Sequence, residues 1–201
     1  TVSTLGFPTM GRAADAQGGA SRLVALKAVP AGYPLRGSLK VAQQPGEAGG
    51  TPRDVPAPGE VLVDAPLLAA LDLKMGDALL LGDSSFRIAR VIVIEPDRGG
   101  GFMSFAPRVM VNAADLPATH LVQPASRITY RFAVAGAEPQ VQRFTRWADA
   151  QIQSREARGL RLESIESGRP EMRQTLDRAE KFLSLVALLS ARLSAVAVAL
   201  A

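Results

Sequence analysis

The last twenty residues of the chain, FLSLVALLSARLSAVAVALA, form its most apolar stretch, and Arg192 is the single charged residue among them. A helix needs about 20 consecutive apolar residues to cross the roughly 30 Å hydrocarbon core of a bilayer. A buried last helix of a globular domain is the alternative, but the charged segment DRAEK stops abruptly at Phe182, as it would at a membrane surface. We therefore expect a membrane-spanning helix to begin here, as in a piece of a longer protein.

Arg192 lies near the middle of this apolar stretch. A charged side chain at the centre of a bilayer costs about 2.5–3.5 kcal/mol on insertion scales, and such residues usually face other helices or a water-filled cavity. We therefore predict that Arg192 is an intramembrane functional residue that points into a helix bundle or an aqueous cavity.

The chain has no cysteine and one histidine, His120. Disulfides, zinc ribbons and thiol nucleophiles are therefore excluded in this sequence, as is a multi-histidine metal site. A serine-histidine-aspartate triad would depend on His120, which lies in the proline-punctuated stretch ADLPATHLVQPAS, and the sequence has no G-x-S-x-G motif. We predict no catalytic residue, no metal site and no cofactor, and therefore no enzyme.

The formal net charge of +4 makes the chain mildly basic, and arginine accounts for most of the excess. These arginines are scattered and form no run. Proteins that bind nucleic acid usually cluster their basic residues on one face or along one helix. We therefore predict no nucleic-acid partner.

The hydrophobic pattern predicts an α+β domain. Alternating or short continuous apolar runs between turn residues indicate strands, and apolar residues at helical spacing indicate helices. Residues 42–59, with four prolines and four glycines, are expected to be a linker or a long exposed loop. The strand within residues 126–136 is expected to be half-buried, with its apolar face formed by Ile128, Tyr130, Phe132 and Val134. The other expected strands are Leu23–Val29, Glu60–Val63, Ala78–Leu81, Phe86–Ile94, Arg108–Val111 and Leu160–Ile165, and the expected helices are Pro66–Leu71 and Glu138–Ser154.

Residues 97–102, DRGGGF, contain three consecutive glycines. A phosphate-binding loop is one interpretation, but the lysine-serine or lysine-threonine pair and the strand–turn–helix setting of such loops are missing. An exposed loop with apolar flanking residues is the other interpretation, and exposed apolar side chains often mark an interaction surface. We therefore predict a partner contact at Phe102, Met103 and Phe105.

Several segments resemble ABC-transporter permeases of the FtsX-like family. Gly59–Ile94 resembles a recurring unit of the extracytoplasmic domain of that family, and its clearest piece is LKMGD at 73–77. The closer resemblance is to permeases of the YbbP type. It is carried by FPTM (7–10), KAVPAGYPLRG (27–37), EPDRG (95–99), FAPRVMVN (105–112), DLPATHLVQPASRITYR (115–131) and RPEMRQTLDRAEKFLSL (169–185).

The resemblance implies a MacB-type periplasmic core with two subdomains. Residues 1–55 and 125–167 would form a porter-like α/β subdomain, and residues 56–124 an inserted, mostly β subdomain. Residues 168–201 would form a long stalk and the start of a transmembrane helix.

The resemblance also implies a function, namely the non-catalytic permease subunit of a transporter in the bacterial inner membrane, with residues 1–180 outside the cytoplasm. A separate cytoplasmic ABC ATPase subunit would hydrolyse ATP, and the movement would reach this domain through the stalk helix. A periplasmic partner, a lipid or lipoprotein substrate and a homodimer of permeases are expected by analogy only. The alternative, from another class, is a membrane-anchored periplasmic binding or scaffold module without transport activity.

Overall fold

The computed structural model describes residues 1–47, 51–52, 55–98, 105–124, 126–154, 159–164, 182–184, 186–187 and 190 of the 201-residue chain. The strands in this part of the chain are β1 (Val2–Ala13), β2 (Ser21–Val29), β3 (Lys40–Ala42), β4 (Thr51–Pro52), β5 (Glu60–Val63), β6 (Ala78–Leu81), β7 (Ser84–Ile94), β8 (Arg108–Asn112) and β9 (Thr129–Ala133). The helices are α1 (Ala65–Leu71) and α2 (Glu138–Gln153), with short 3-10 helices at Asp15–Gln17 and Ala113–Thr119.

Six of these strands close into a barrel. β1 pairs with β2, β2 with β8, β8 with β5, β5 with β7, β7 with β6, and β6 returns to β1. The β2–β8 and β5–β7 pairs are parallel and the other four are antiparallel. Closure gives each of the six strands a partner on both sides, which removes free edges from the ring.

The two longest strands, β1 and β7, belong to the barrel and also carry further strands. β1 pairs with β6 through residues 11–13 and with β9 through residues 2–6. β7 pairs with β6 through residues 84–87, and its last residues pair with β3, to which β4 is added. The barrel is thus extended by β9 beside β1 and by β3 and β4 beside β7.

Apolar residues pack on both faces of the barrel wall. One cluster contains buried residues from all six barrel strands, and it fills the inside. Successive side chains of a strand point to opposite faces, so Val24, Leu26 and Ala28 of β2 belong to this inner cluster and Val29 belongs to an outer one. The outer cluster also contains Val2, Tyr33, Leu39, Val41, Leu62, Ala89, Ile92 and Met110.

Helix α1 follows directly from β5 and packs against the inner cluster. Asp64 takes the N-cap position, and Pro66 lies in the first turn, where its missing N–H is not needed. Asp72 has left-handed backbone geometry and ends the helix. The predicted short helix is confirmed, and so are the predicted bounds of β5 and β6.

Two predictions about strands were wrong. Residues 160–164 were expected in a strand but have no strand pairing, and residue 165 lies outside the described residues. Tyr130 and Phe132 of β9 were expected on a buried face but are 69% and 59% exposed. Ile128 of the same predicted face does pack against the inner cluster. However, β9 is paired beside the first residues of β1 and is not a strand of the closed ring.

The chain divides into two compact units, Thr1–Gly136 and Ala137–Ala201. The expected linker at 42–59 does not separate units, because β4 within it pairs with β3. The barrel also joins strands from residues 1–55 and 56–124 in one ring. The division into subdomains at residues 55 and 124 thus has no counterpart in strand pairing, and it stays a prediction.

In the second unit, α2 begins after Ala137 with Pro139 in its first turn. Its bounds agree with the predicted helix to within one residue. Phe144 and Trp147 lie on one face of this helix, with their ring centroids 5.8 Å apart.

Residues 182–184, 186–187 and 190 are helical. Among the residues that the structure describes, no helix combines the length and the apolar character needed to cross a membrane. The other residues of the predicted stalk and transmembrane helix, Arg192 included, lie outside the described ranges.

Gly82 provides a test of how the barrel end is packed. Its φ is +56°, and a Cβ added there would overlap the Thr119 carbonyl oxygen and lie 2.9 Å from Leu121 Cγ. We expect Gly82→Ala to lower the free energy of unfolding by more than the roughly 1–2 kcal/mol of left-handed strain alone. Urea unfolding measures this change.

Gly18→Ala is the matched control, because Gly18 has a φ of +92° and nothing within 4 Å of an added Cβ. Its free energy of unfolding should fall only by the left-handed strain of about 1–2 kcal/mol. Equal losses in the two variants would contradict the packing described at Gly82.

Candidate functional site

The residues predicted as a partner contact fall around the glycine-rich segment between β7 and β8. Phe105 is 88% exposed. Phe102 and Met103 lie outside the described residues, so Phe105 is the member of the predicted set that the structure places. What the sequence did not predict is the group of charged side chains on either side of this segment.

Lys27 is the first member of this group. It lies within the apolar strand β2 and points away from the inner cluster, yet it is buried. Its Nζ donates hydrogen bonds to Tyr33 Oη at 3.0 Å, to Glu95 Oε1 at 2.9 Å and to Asp97 Oδ1 at 2.7 Å. An ammonium group has three donors, so each of its protons has a partner.

Glu95 joins Lys27 to a second cation. Its side chain is fully buried, and while Oε1 accepts from Lys27, Oε2 accepts from Arg108 Nε at 2.9 Å. Lys27 belongs to β2 and Arg108 begins β8, whereas Glu95 follows the last residue of β7. One carboxylate therefore connects three strands.

Asp64 is a second bridging carboxylate. It accepts a hydrogen bond from the Arg108 backbone N–H at 2.8 Å through Oδ2. Arg98 binds both of its oxygens through two guanidinium nitrogens, with the Nη1–Oδ1 distance at 3.1 Å. A two-point contact of this kind fixes orientation as well as distance.

We call these residues the ionic cluster. It comprises three cations and three carboxylates with one phenol: Lys27, Arg98, Arg108, Asp64, Glu95, Asp97 and Tyr33. Burial of a charge is costly unless it is paired and hydrogen-bonded. The equal numbers of opposite charges and the shared oxygens meet this condition for the buried members of the cluster.

The cluster changes the ionisation of its members. Burial opposes the ionisation of Asp97, but hydrogen bonds from Lys27 and Tyr33 and the charge of Lys27 outweigh it, and the pKa of Asp97 is lowered. Burial, together with the hydrogen bond to Asp97, raises the pKa of Tyr33 above its ordinary range. The hydrogen bond to Asp64 raises the pKa of Arg98.

Sequence signals for the cluster exist. Lys27 is the one charged residue in the apolar run LVALKAV, and EPDR follows the apolar run VIVI directly. A charge inside an apolar strand needs a partner, and Glu95 and Asp97 are two carboxylates that directly follow another apolar strand. Pairing them with Lys27 required the strand order of the barrel, which the sequence alone did not provide.

Other candidate groups are not assembled into a site. His120 Nδ1 lies 2.9 Å from Asp83 Oδ2 on the surface, where both side chains are largely exposed. No group of three or more acidic or histidine side chains suited to a metal ion occurs within the described ranges.

Lys27→Met tests whether the cluster depends on its central cation. The variant leaves Glu95 and Asp97 without their shared partner. Breaking a buried ion pair by removing one member costs about 3–5 kcal/mol, and we expect a loss of this size in the free energy of unfolding measured with urea. Asp15→Asn, which breaks the exposed pair between Arg12 and Asp15, should cost less than about 1 kcal/mol. Similar losses of unfolding free energy in Lys27→Met and Asp15→Asn would show that burial of the cluster does not contribute to stability.

The lowered pKa of Asp97 predicts acid sensitivity. The carboxyl of an unfolded chain titrates near pH 3.9, and the folded pKa lies below this value. The stabilisation is therefore complete above about pH 4 and is lost as the pH falls through the folded pKa. Unfolding measured from about pH 6 to pH 2 should show a smaller loss of stability on acidification in Asp97→Asn than in the wild type. An unchanged dependence would contradict the assignment.

Comparisons with known proteins agree with the resemblance seen in the sequence. No protein-family profile matches the chain. The chain is 36% identical over 197 residues to the uncharacterized ABC transporter permease YbbP of Escherichia coli K12, and the match covers 98% of this chain and 22% of that protein.

Among solved structures, the periplasmic region of MacB from Actinobacillus actinomycetemcomitans is similar at 13% identity with a TM-score of 0.45, over 74% of this chain and 66% of that one. The sequence match covers 22% of YbbP, so the chain spans about a fifth of the length of that curated relative. Along almost all of its own length, it is similar in sequence to an ABC-transporter permease.

Proposed function

We propose that this chain is the extracytoplasmic part of an ABC-transporter permease. The observation that carries the proposal is the 36% identity to a permease over 98% of the chain. Because the match covers 22% of that protein, membrane and cytoplasmic parts would lie elsewhere in the protein. The chain would be located outside the cytoplasm at the bacterial inner membrane, and the apolar stretch from Phe182 onward would enter the bilayer.

The mechanical role of this domain would be to move as a body when a separate cytoplasmic ATPase subunit closes on ATP. A closed barrel packed on both faces of its wall supports such a role, because well-packed interiors resist deformation and transmit strain. The stalk in residues 168–201 would carry the displacement, and Arg192 would face other helices of the membrane part. A lipid or lipoprotein substrate and a homodimer of permeases are further parts of the proposal that rest on analogy.

The contact with a periplasmic partner would be made at the glycine-rich segment. Phe105 is almost fully exposed, whereas Arg108, three residues later, is buried in the ionic cluster. An aromatic side chain presented from a fixed base is the typical energetic centre of a protein interface. Phe102 and Met103 would take part in the same contact.

Phe105→Ala in the intact permease, reconstituted with its ATPase and its partner, tests this contact. A central aromatic residue contributes about 2 kcal/mol or more to an interface, so we expect at least about a tenfold loss in partner affinity and a fall in partner-stimulated ATPase activity. Tyr130→Ala is the matched control, since Tyr130 is also an exposed aromatic residue but lies on β9.

Unchanged affinity and activity in Phe105→Ala would place the contact elsewhere. If the intact protein neither associated with an ATPase nor altered its turnover, the scaffold alternative would replace transport. Deletion of residues 56–124 is a poorer test, because it removes β5, β6, β7 and β8 and so destroys the barrel.

A further inference from the structure

The two ends of the glycine-rich segment are tied to each other by shared carboxylates. Arg98, at the β7 end, and the Arg108 backbone N–H, at the β8 end, both bind Asp64. The Arg108 side chain also binds Glu95, which precedes the segment by a few residues. Asp64 is therefore an acceptor for both ends, and Glu95 ties the β8 end back to the end of β7.

A second attachment fixes the β8 end to the barrel wall. The Ala25 N–H of β2 donates to the Pro107 carbonyl at 2.9 Å, and the register of the parallel pair places Ala25 opposite Arg108. Lys27, two residues further along β2, binds the other oxygen of Glu95. Phe105 lies just two residues before Pro107, so its backbone leaves the barrel from a base that is held by both main-chain and ionic contacts.

Glu95 is the acceptor that joins Arg108, at the β8 end, to Lys27 of β2. Its two oxygens are used separately, by Lys27 and by Arg108, and its side chain is fully buried. Water does not replace a lost partner at such a position, so a change at Glu95 removes one acceptor from each of two buried cations. The backbone that carries Phe105 would then shift together with Arg108.

We propose that Glu95 is a positioning residue for the contact surface at Phe105, acting through Arg108 and Lys27. This inference rests on the proposed function, in which Phe105 meets a partner. It goes beyond that function because it assigns the geometry of the surface to a buried carboxylate that touches no partner. The competing explanation is that Glu95 only stabilises the barrel.

Distance measurements between spin labels separate these explanations. The chain has no cysteine, so labels can be placed through Phe105→Cys and Asp83→Cys in the intact protein once any cysteine outside these residues is replaced. Asp83 lies in the turn between β6 and β7 and its side chain is largely exposed. Pulsed electron spin resonance then reports the distribution of distances from Phe105 to the barrel.

We expect a single narrow distribution in the wild-type background and a shifted or broadened one in Glu95→Gln. Glu60→Gln is the control for loss of a carboxylate elsewhere on the barrel, since Glu60 pairs with the more exposed Arg87. Leu62→Ala, which removes a fully buried side chain of the outer cluster, is the control for lost stability. Both controls should keep the narrow distribution.

A distribution in folded Glu95→Gln that matches the wild type, or an equal broadening in Leu62→Ala, would overturn the proposal. If Glu95→Gln does not fold, Arg108→Lys provides the test, because it keeps the charge but loses the guanidinium Nε that reaches Glu95. The same shift is expected there, and an unchanged distribution would overturn the proposal as well.

Measurements of partner affinity in the same variants distinguish the failure of this inference from the failure of the proposed function. If Phe105→Ala has no effect on partner affinity while Glu95→Gln displaces the label, Glu95 still positions Phe105 but the contact proposal fails. If Phe105→Ala abolishes binding while Glu95→Gln leaves both the label and the affinity unchanged, the contact stands and the positioning inference fails.

Discussion

The buried carboxylate of Glu95 is the constraint on which the outer side of the barrel depends. Together with Asp97 it neutralises Lys27, a charge inside an apolar strand, and it holds Arg108 at the start of β8. A buried charge tolerates few alternative arrangements, because each one leaves a partner unsatisfied. The strand order β7–β5–β8–β2 brings these groups together, and their pairing in turn favours that order over others.

Much of the local structure could be predicted from the sequence, since β5 and β6 have the expected bounds and α1 and α2 agree to within one residue. The sequence signals that define each of these elements lie within a few neighbouring residues, as with Pro66 at the start of α1. β1 is different, because Gly6, Pro8 and Gly11 interrupt its apolar pattern. Pro8 falls between the stretches that pair with β9 and with β6, where a strand residue without an N–H is tolerated.

The exposure of Phe105 could be predicted for a similar reason, whereas the partner contact there stays a prediction. An exposed apolar residue beside a glycine run can be recognised locally, and Phe105 is exposed. Lys27 and Glu95 are 68 residues apart in the chain, and no local sequence pattern near either residue indicates that the two pair. The predicted burial of Tyr130 failed because alternation specifies which side chains share a face, whereas the covering of that face depends on tertiary neighbours.

The closed ring also determines when the domain can fold during synthesis. Among the described strands, β8 joins β2 to β5 in the ring, and it ends at Asn112, so the ring cannot close during synthesis until Asn112 has emerged. Until then β2 exposes an unsatisfied edge together with the ammonium group of Lys27. Such delayed, non-local pairing is slow and leaves aggregation-prone edges open. A lysine on that edge discourages wrong pairing, so the residue that later anchors the ionic cluster would first protect the nascent chain.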